Sequence, residues 1–151
     1  MAEIVIRPAG VGDAKVLAAN LRESDLNELR AVGYADVLAP IVESVRDSRL
    51  CWAAFADGEL GCLIGVTPLG DGVGAPWMLG TPVLDRHSRV LVRRTPHYIA
   101  LMLNEFPRLA NYVHVGNVTS VLWLRRLGFT LADPQPYGAH GALFHLFEMH
   151  A

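Results

Sequence analysis

The sequence predicts an α+β fold, a mixed central sheet flanked by helices. Two strand-like runs of apolar residues meet at Asp57-Gly58, a pair that suits a two-residue hairpin turn. Helical three- and four-residue spacings of apolar residues occur before these runs and return after them. Strands grouped in mid-chain between helices imply layers packed on one sheet. At 151 residues the chain is expected to be one domain, 1–151, burying about two-thirds of its unfolded surface.

Glu3-Ile4-Val5-Ile6-Arg7 alternates and Pro8 ends it, which reads as a first strand. Gly12-Asp13 offers a helix N-cap, followed by Val16, Leu17, Ala19, Leu21, Leu26, Leu29 and Val32 as one amphipathic helix or two short ones stopped at Gly33. A further helix is expected over 35–46, with Pro40 bending it or marking its true start. Residues 50–55 and 59–66 form the hairpin, a Gly-rich connection covers 68–74, and 75–81 is another strand. A basic stretch, 85–94, precedes Thr95-Pro96, which reads as a helix start because proline in the first turn sacrifices no hydrogen bond. That helix buries Ile99, Met102, Leu103 and Phe106. A strand over 112–115, an Asn turn, a helix to Leu127, a Gly stop, a strand near Phe129, a loop over 133–141 and a last strand over 142–149 follow. The order is β-α-α-β-β-β-α-β-α-β-β.

Composition bounds the function. Hydrophobic residues make up 52% of the chain and charged residues 19%, a balance that forms a packed core. A net charge of −2 argues against a broad nucleic-acid-binding face. No apolar run approaches the ~20 residues of a membrane span, and Met1-Ala2-Glu3 leads directly into a strand, so no signal peptide is expected. With Asp57-Gly58 as the turn, Cys51 falls opposite Ile64 and Cys62 opposite Ala53, a diagonal placement that disfavours a disulfide. Both read as reduced core thiols of a cytosolic protein. The six histidines show no metal-binding spacing and there is no nucleophile elbow, so no metal is expected.

The segment Asn111-Tyr112-Val113-His114-Val115-Gly116-Asn117, then Val118 to Leu127 and Gly128-Phe129, resembles the second half of the acetyl-CoA-binding core of the GNAT acetyltransferase superfamily. The element order resembles that superfamily too, which implies a GNAT-like mixed sheet. The resemblance also implies a Tyr seven residues after Asn117 as the acid that protonates the departing thiolate, and that position is Leu124. It implies a Gly-rich pyrophosphate loop before the following helix. The counterpart here, Arg93-Arg94-Thr95-Pro96-His97-Tyr98, contains no glycine. On this reading Arg93, Arg94 and Thr95 hold the pyrophosphate and Asn117 orients the pantetheine arm, while Arg86, Arg89 and Arg93 fall at helical spacing. Tyr137 and His114 are the candidate proton-transfer groups, with Asp25, Glu28 and Glu43 in the helical region where acceptors dock in the superfamily. Acetyl-CoA binding itself stays open.

A narrower resemblance rests on Pro76 to Thr81, Asn111 to Asn117, Leu124 to Gly128 and Phe144 to Phe147. These motifs are similar to the small internal virion protein of short-tailed coliphages and related prophage proteins. That similarity implies a virion or particle-assembly component with a degenerate acetyl-CoA site, found in the host cytoplasm during expression or in the virion. Its partners would be phage structural proteins, met through Val121, Trp123 and Leu124 in the continuous apolar run of the last helix. The alternative is an active acetyl-CoA-dependent N-acetyltransferase modifying a host protein or a small amine.

Overall fold

The computed structural model describes all 151 residues. Strand β1 (Ile4–Pro8) leads into helices α1 (Val11–Ala19), α2 (Glu23–Val32) and α3 (Leu38–Asp47). Strands β2 (Leu50–Ala56), β3 (Glu59–Gly70) and β4 (Val73–Gly80) follow, then α4 (Pro82–Arg86) and α5 (Ser88–Glu105). The chain closes with β5 (Arg108–His114), α6 (Val118–Leu127), β6 (Thr130–Leu131), β7 (Gln135–Tyr137) and β8 (Ala142–His150). All eight strands form one sheet in the order β1-β2-β3-β4-β5-β8-β6, with β7 also pairing on β8. Only β4 and β5 run parallel; every other pair is antiparallel.

The alternation of side chains along β3 sorts the core into two layers. Leu63 faces α1 and α3, in a cluster with Ala14, Leu17, Ile41, Val45 and Ala53. Ile64 and Val66 share the cluster of α5 and the second half of the sheet, with Ile99, Met102, Phe106, Leu109, Val113, Phe129 and Phe147. No helix is long and apolar enough to cross a membrane.

Several boundaries differ from the sequence reading for identifiable reasons. The expected Gly-rich connection over 68–74 is a second hairpin, because Asp71-Gly72 repeats the Asp57-Gly58 device. Both pairs take positive φ, 53° and 75° against 50° and 80°, as a tight right-twisting hairpin requires. The expected helix start at Thr95-Pro96 lies in the interior of α5, which begins at Ser88. An identical Thr-Pro pair upstream does start a helix: Thr81 caps α4, its hydroxyl accepting from the Val83 amide at 3.1 Å, and Pro82 is the first helical residue. Asp13 is not the N-cap of α1. Gly10 is, and the Asp13 carboxylate reaches back to its amide at 2.9 Å while pairing with Arg7.

The register of the β2–β3 hairpin is shifted by an irregularity between Ala54 and Phe55, so Cys51 lies opposite Gly65 and Cys62 opposite Ala54. Both thiols are free. Burial pushes them up to about 12, far from thiolate chemistry.

Candidate functional site

The site arises where the parallel pair fails. Strands β4 and β5 are in register only at Val73↔Arg108 and Gly74↔Leu109, and beyond that point they part. The Arg108 amide donates to Gly72 O, and the Pro76 carbonyl and Gly80 amide also point to this edge. Strand alternation therefore turns the amide and carbonyl of Met78 into the gap as well. Asn111 stitches the first open rung. Its Nδ2 donates to Pro76 O at 2.9 Å and its Oδ1 accepts from the Tyr112 amide at 2.8 Å.

Helix α2 spans the open end with two carboxylates one turn apart. Asp25 accepts from the Gly80 amide on β4 at 2.8 Å. Glu28 accepts from the His114 amide on β5 at 2.7 Å and from Asn117 Nδ2 at 3.5 Å. Asp25 is 2% exposed and pairs with Arg22 at 2.6 Å, which also reaches Asp85 at 3.0 Å. Burial raises the Asp25 carboxyl, against the pull of Arg22 and the Gly80 amide. Burial likewise raises Glu28, opposed by the His114 amide and reinforced by the charge of Asp25.

Between the parted strands lies a cavity of about 290 Å³, walled by α2, β4, α5, β5, α6 and the last hairpin. Tyr34, Tyr112 and Tyr137 line it, with Tyr112 and Tyr137 stacked at 4.0 Å between ring centroids. Burial raises the Tyr137 phenol, helped by Tyr112 and Tyr34. Helix α6 gives the cavity a stripe at helical spacing: Ser120, Trp123, Leu124 and Leu127.

The structure redistributes the residues singled out in the sequence. Tyr137 and Glu28 come together on the cavity wall, whereas Glu43 is exposed on α3 and does not line it. The His114 ring is engaged elsewhere, accepting from the Gly116 amide at 3.1 Å and packing edge-on to Phe144, so the residue serves the cleft through its backbone amide. Asn117 caps α6, accepting from the Ser120 amide at 3.4 Å.

Thr95 is buried in mid-helix and its hydroxyl donates to Leu91 O at 3.3 Å, which removes it from any helix-terminal anion site. Arg93 and Arg94 are exposed on α5. Arg94 and Met78 border the same small cavity beside the cleft. The apolar run on α6 is divided between faces. Val121 packs on the core cluster, Trp123 and Leu124 line the cavity, and the exposed pair is Val118 and Leu122. No group of three His, Cys, Asp or Glu side chains could hold a metal ion.

Known structures share this fold. A putative acetyltransferase from Acinetobacter baylyi superimposes over 100% of this chain and 94% of its own, at TM-score 0.78 and 12% identity. An acetyltransferase of the GNAT family from Streptococcus pneumoniae covers 99% of this chain and 100% of its own, at TM-score 0.67 and 14% identity. The fold is that of the GNAT acetyltransferases. The PaiA N-acetyltransferase of Thermoplasma acidophilum, solved in complex with coenzyme A, covers 99% of both chains at TM-score 0.70 and 17% identity. No family model and no curated protein sequence matches the chain.

Sequence reasoning missed Met78, Asn111 and the inward turn of Trp123. Asn111 lay inside the motif, but its bridging role depends on where β4 parts from β5. The spacing that places Ser120, Trp123, Leu124 and Leu127 on one stripe was legible, but the sequence reading gave Trp123 to a partner face.

Proposed function

We propose that this chain is an acetyl-CoA-dependent N-acetyltransferase acting on a small amine or a protein amino group. The observation that carries the reading is the parting of β4 from β5 over a lined cavity, in a fold whose compared neighbours bear acetyltransferase names.

The donors present suit the cofactor's uncharged arm. Met78 offers an unpaired strand edge, the walls are mostly apolar, and Ser120 brings a hydroxyl. For the phosphates, the exposed guanidinium groups of Arg93 and Arg94 take the place of a Gly-rich loop. Bound acetyl-CoA would supply the thioester carbonyl that an amine attacks.

Glu28 is the base. Its carboxyl lines the cleft, fixed by the His114 amide, and burial raises it above the ordinary carboxylate value, which strengthens it as a proton acceptor. Tyr137 holds the proton for the leaving sulfur. Its phenol, raised by burial, stays protonated at neutral pH and lines the same cavity as Leu124, which fills the position where the superfamily pattern has a Tyr. Asn117 steadies Glu28 while capping α6.

The particle-assembly role rests on motif resemblance alone, while Trp123 and Leu124, on which it relied, line the cavity. Isothermal titration with acetyl-CoA, followed by thiol release in the presence of an amine panel, tests the enzyme reading. Micromolar binding and amine-dependent release of coenzyme A are expected, with stabilisation by about 2.7 kcal/mol at a hundredfold excess over Kd. No heat and no thermal stabilisation at ~1 mM acetyl-CoA would overturn it.

A further inference from the structure

Trp123 stands apart among the buried polar groups. Its indole Nε1 is the one buried side-chain nitrogen or oxygen without a hydrogen-bond partner in the chain. By contrast, the Trp77 indole gives its proton to Ser48 Oγ at 2.9 Å. Buried donors are satisfied as a rule, and an exception calls for a reason. Packing does not supply one, because Trp123 belongs to none of the three apolar clusters nor to the residues packed against them. It lines the β4–β5 cavity on the stripe that also carries Ser120, one turn earlier.

We propose that Trp123 is a ligand-binding residue whose indole N–H donates to a neutral carbonyl oxygen, an amide or thioester, of the molecule lodged in the cleft. The inference rests on the cleft being the acyl-donor site and assigns a contact within it. Indole is a donor only, so its partner must be an acceptor. The charges on the walls decide which kind. Arg22 is the sole cation lining the cavity, and it is already bonded to Asp25 and Asp85. Asp25 and Glu28 add negative potential, so a carboxylate or phosphate at this depth would be repelled. A neutral carbonyl meets no such opposition. Leu124 and Leu127, the apolar residues of the stripe, would lie along the uncharged part of the same molecule.

The test uses protein labelled with nitrogen-15 at tryptophan, titrated with acetyl-CoA, beside Trp123→Phe. The indole resonance absent from Trp123→Phe should move downfield in its proton shift as the wild type saturates. Loss of one such bond should raise the acetyl-CoA dissociation constant about threefold to tenfold, without lowering the melting temperature of the free protein. If other resonances move while this one stays, the contact is wrong and the cleft reading survives. If nothing moves and no heat is released, both fall. The wild-type spectrum decides the matter even where Trp123→Phe folds poorly.

Discussion

Glu28 is both the proposed base and a brace, and the two roles can be separated by pH. Burial raises its carboxyl above the ordinary value, whereas an unfolded Glu titrates near ~4.3. Between those two values the folded chain holds a proton that the unfolded chain has lost. The group's contribution to stability is therefore complete below the unfolded value and falls away as pH rises through the folded one. Glu28→Gln keeps an oxygen to accept from the His114 amide and removes the buried charge. The variant should melt above the wild type near about pH 7, with the difference closing toward about pH 4. Its acetyl transfer should drop by about 10²- to 10⁴-fold, the range for losing a general base. Differential scanning calorimetry across pH checks the first effect and steady-state turnover the second. Full turnover in Glu28→Gln would leave the brace and remove the base.

At the scale of elements, the cleft depends on how tightly β4 and β5 are pinned before they part. Gly74 sits at the last paired rung, where an added Cβ would come within 2.6 Å of both Phe106 Cδ2 and Val66 Cγ2. Both neighbours are buried core side chains with little room to yield. Gly74→Ala should cost about 1–3 kcal/mol, as overpacking does, read as a lower urea midpoint; an unchanged midpoint would mean that the apex is not tightly packed. The sequence discloses such elements unevenly. Asp57-Gly58 and the Asn117-to-Gly128 helix were legible because the turn and cap residues act locally. The chain also contains three Thr-Pro pairs and two Asp-Gly pairs. Both Asp-Gly pairs make hairpins, but only Thr81-Pro82 starts a helix: Thr67-Pro68 lies within β3, and Thr95 satisfies its hydroxyl on Leu91 inside α5, which runs through Pro96. Local chemistry cannot rank identical signals when long-range packing chooses among them. The cleft was hidden for the same reason: Asp25, Glu28 and Asn111 act through amides and carbonyls 35 to 86 positions away in sequence.

For the molecule as a whole, the difficulty for the proposed function is that a net charge of −2 would have to accommodate a polyanionic cofactor. The arginines divide clearly. Arg7, Arg22, Arg49, Arg86 and Arg108 each have an acidic partner. Arg93 and Arg94 have none, like the exposed Arg30, Arg46, Arg89, Arg125 and Arg126, but Arg94 borders the small cavity beside the cleft and Arg93 is its neighbour on α5. Exposed charges are screened within about 10 Å at ~0.1 M salt, so an anion must find its cations locally and cannot rely on the field of the whole surface. Replacing both by Ala should raise the acetyl-CoA dissociation constant about tenfold or more, given ~1.5–3 kcal/mol for a charge-assisted contact. Folding stability should stay within about 0.5 kcal/mol, because neither side chain is part of the core. The salt dependence supplies the control. Wild-type affinity should weaken as ionic strength rises and the double variant should respond less, because the contacts most exposed to screening have been removed. Titrations at two salt concentrations measure both quantities. An unchanged constant with an unchanged salt response would place the phosphates elsewhere on the surface.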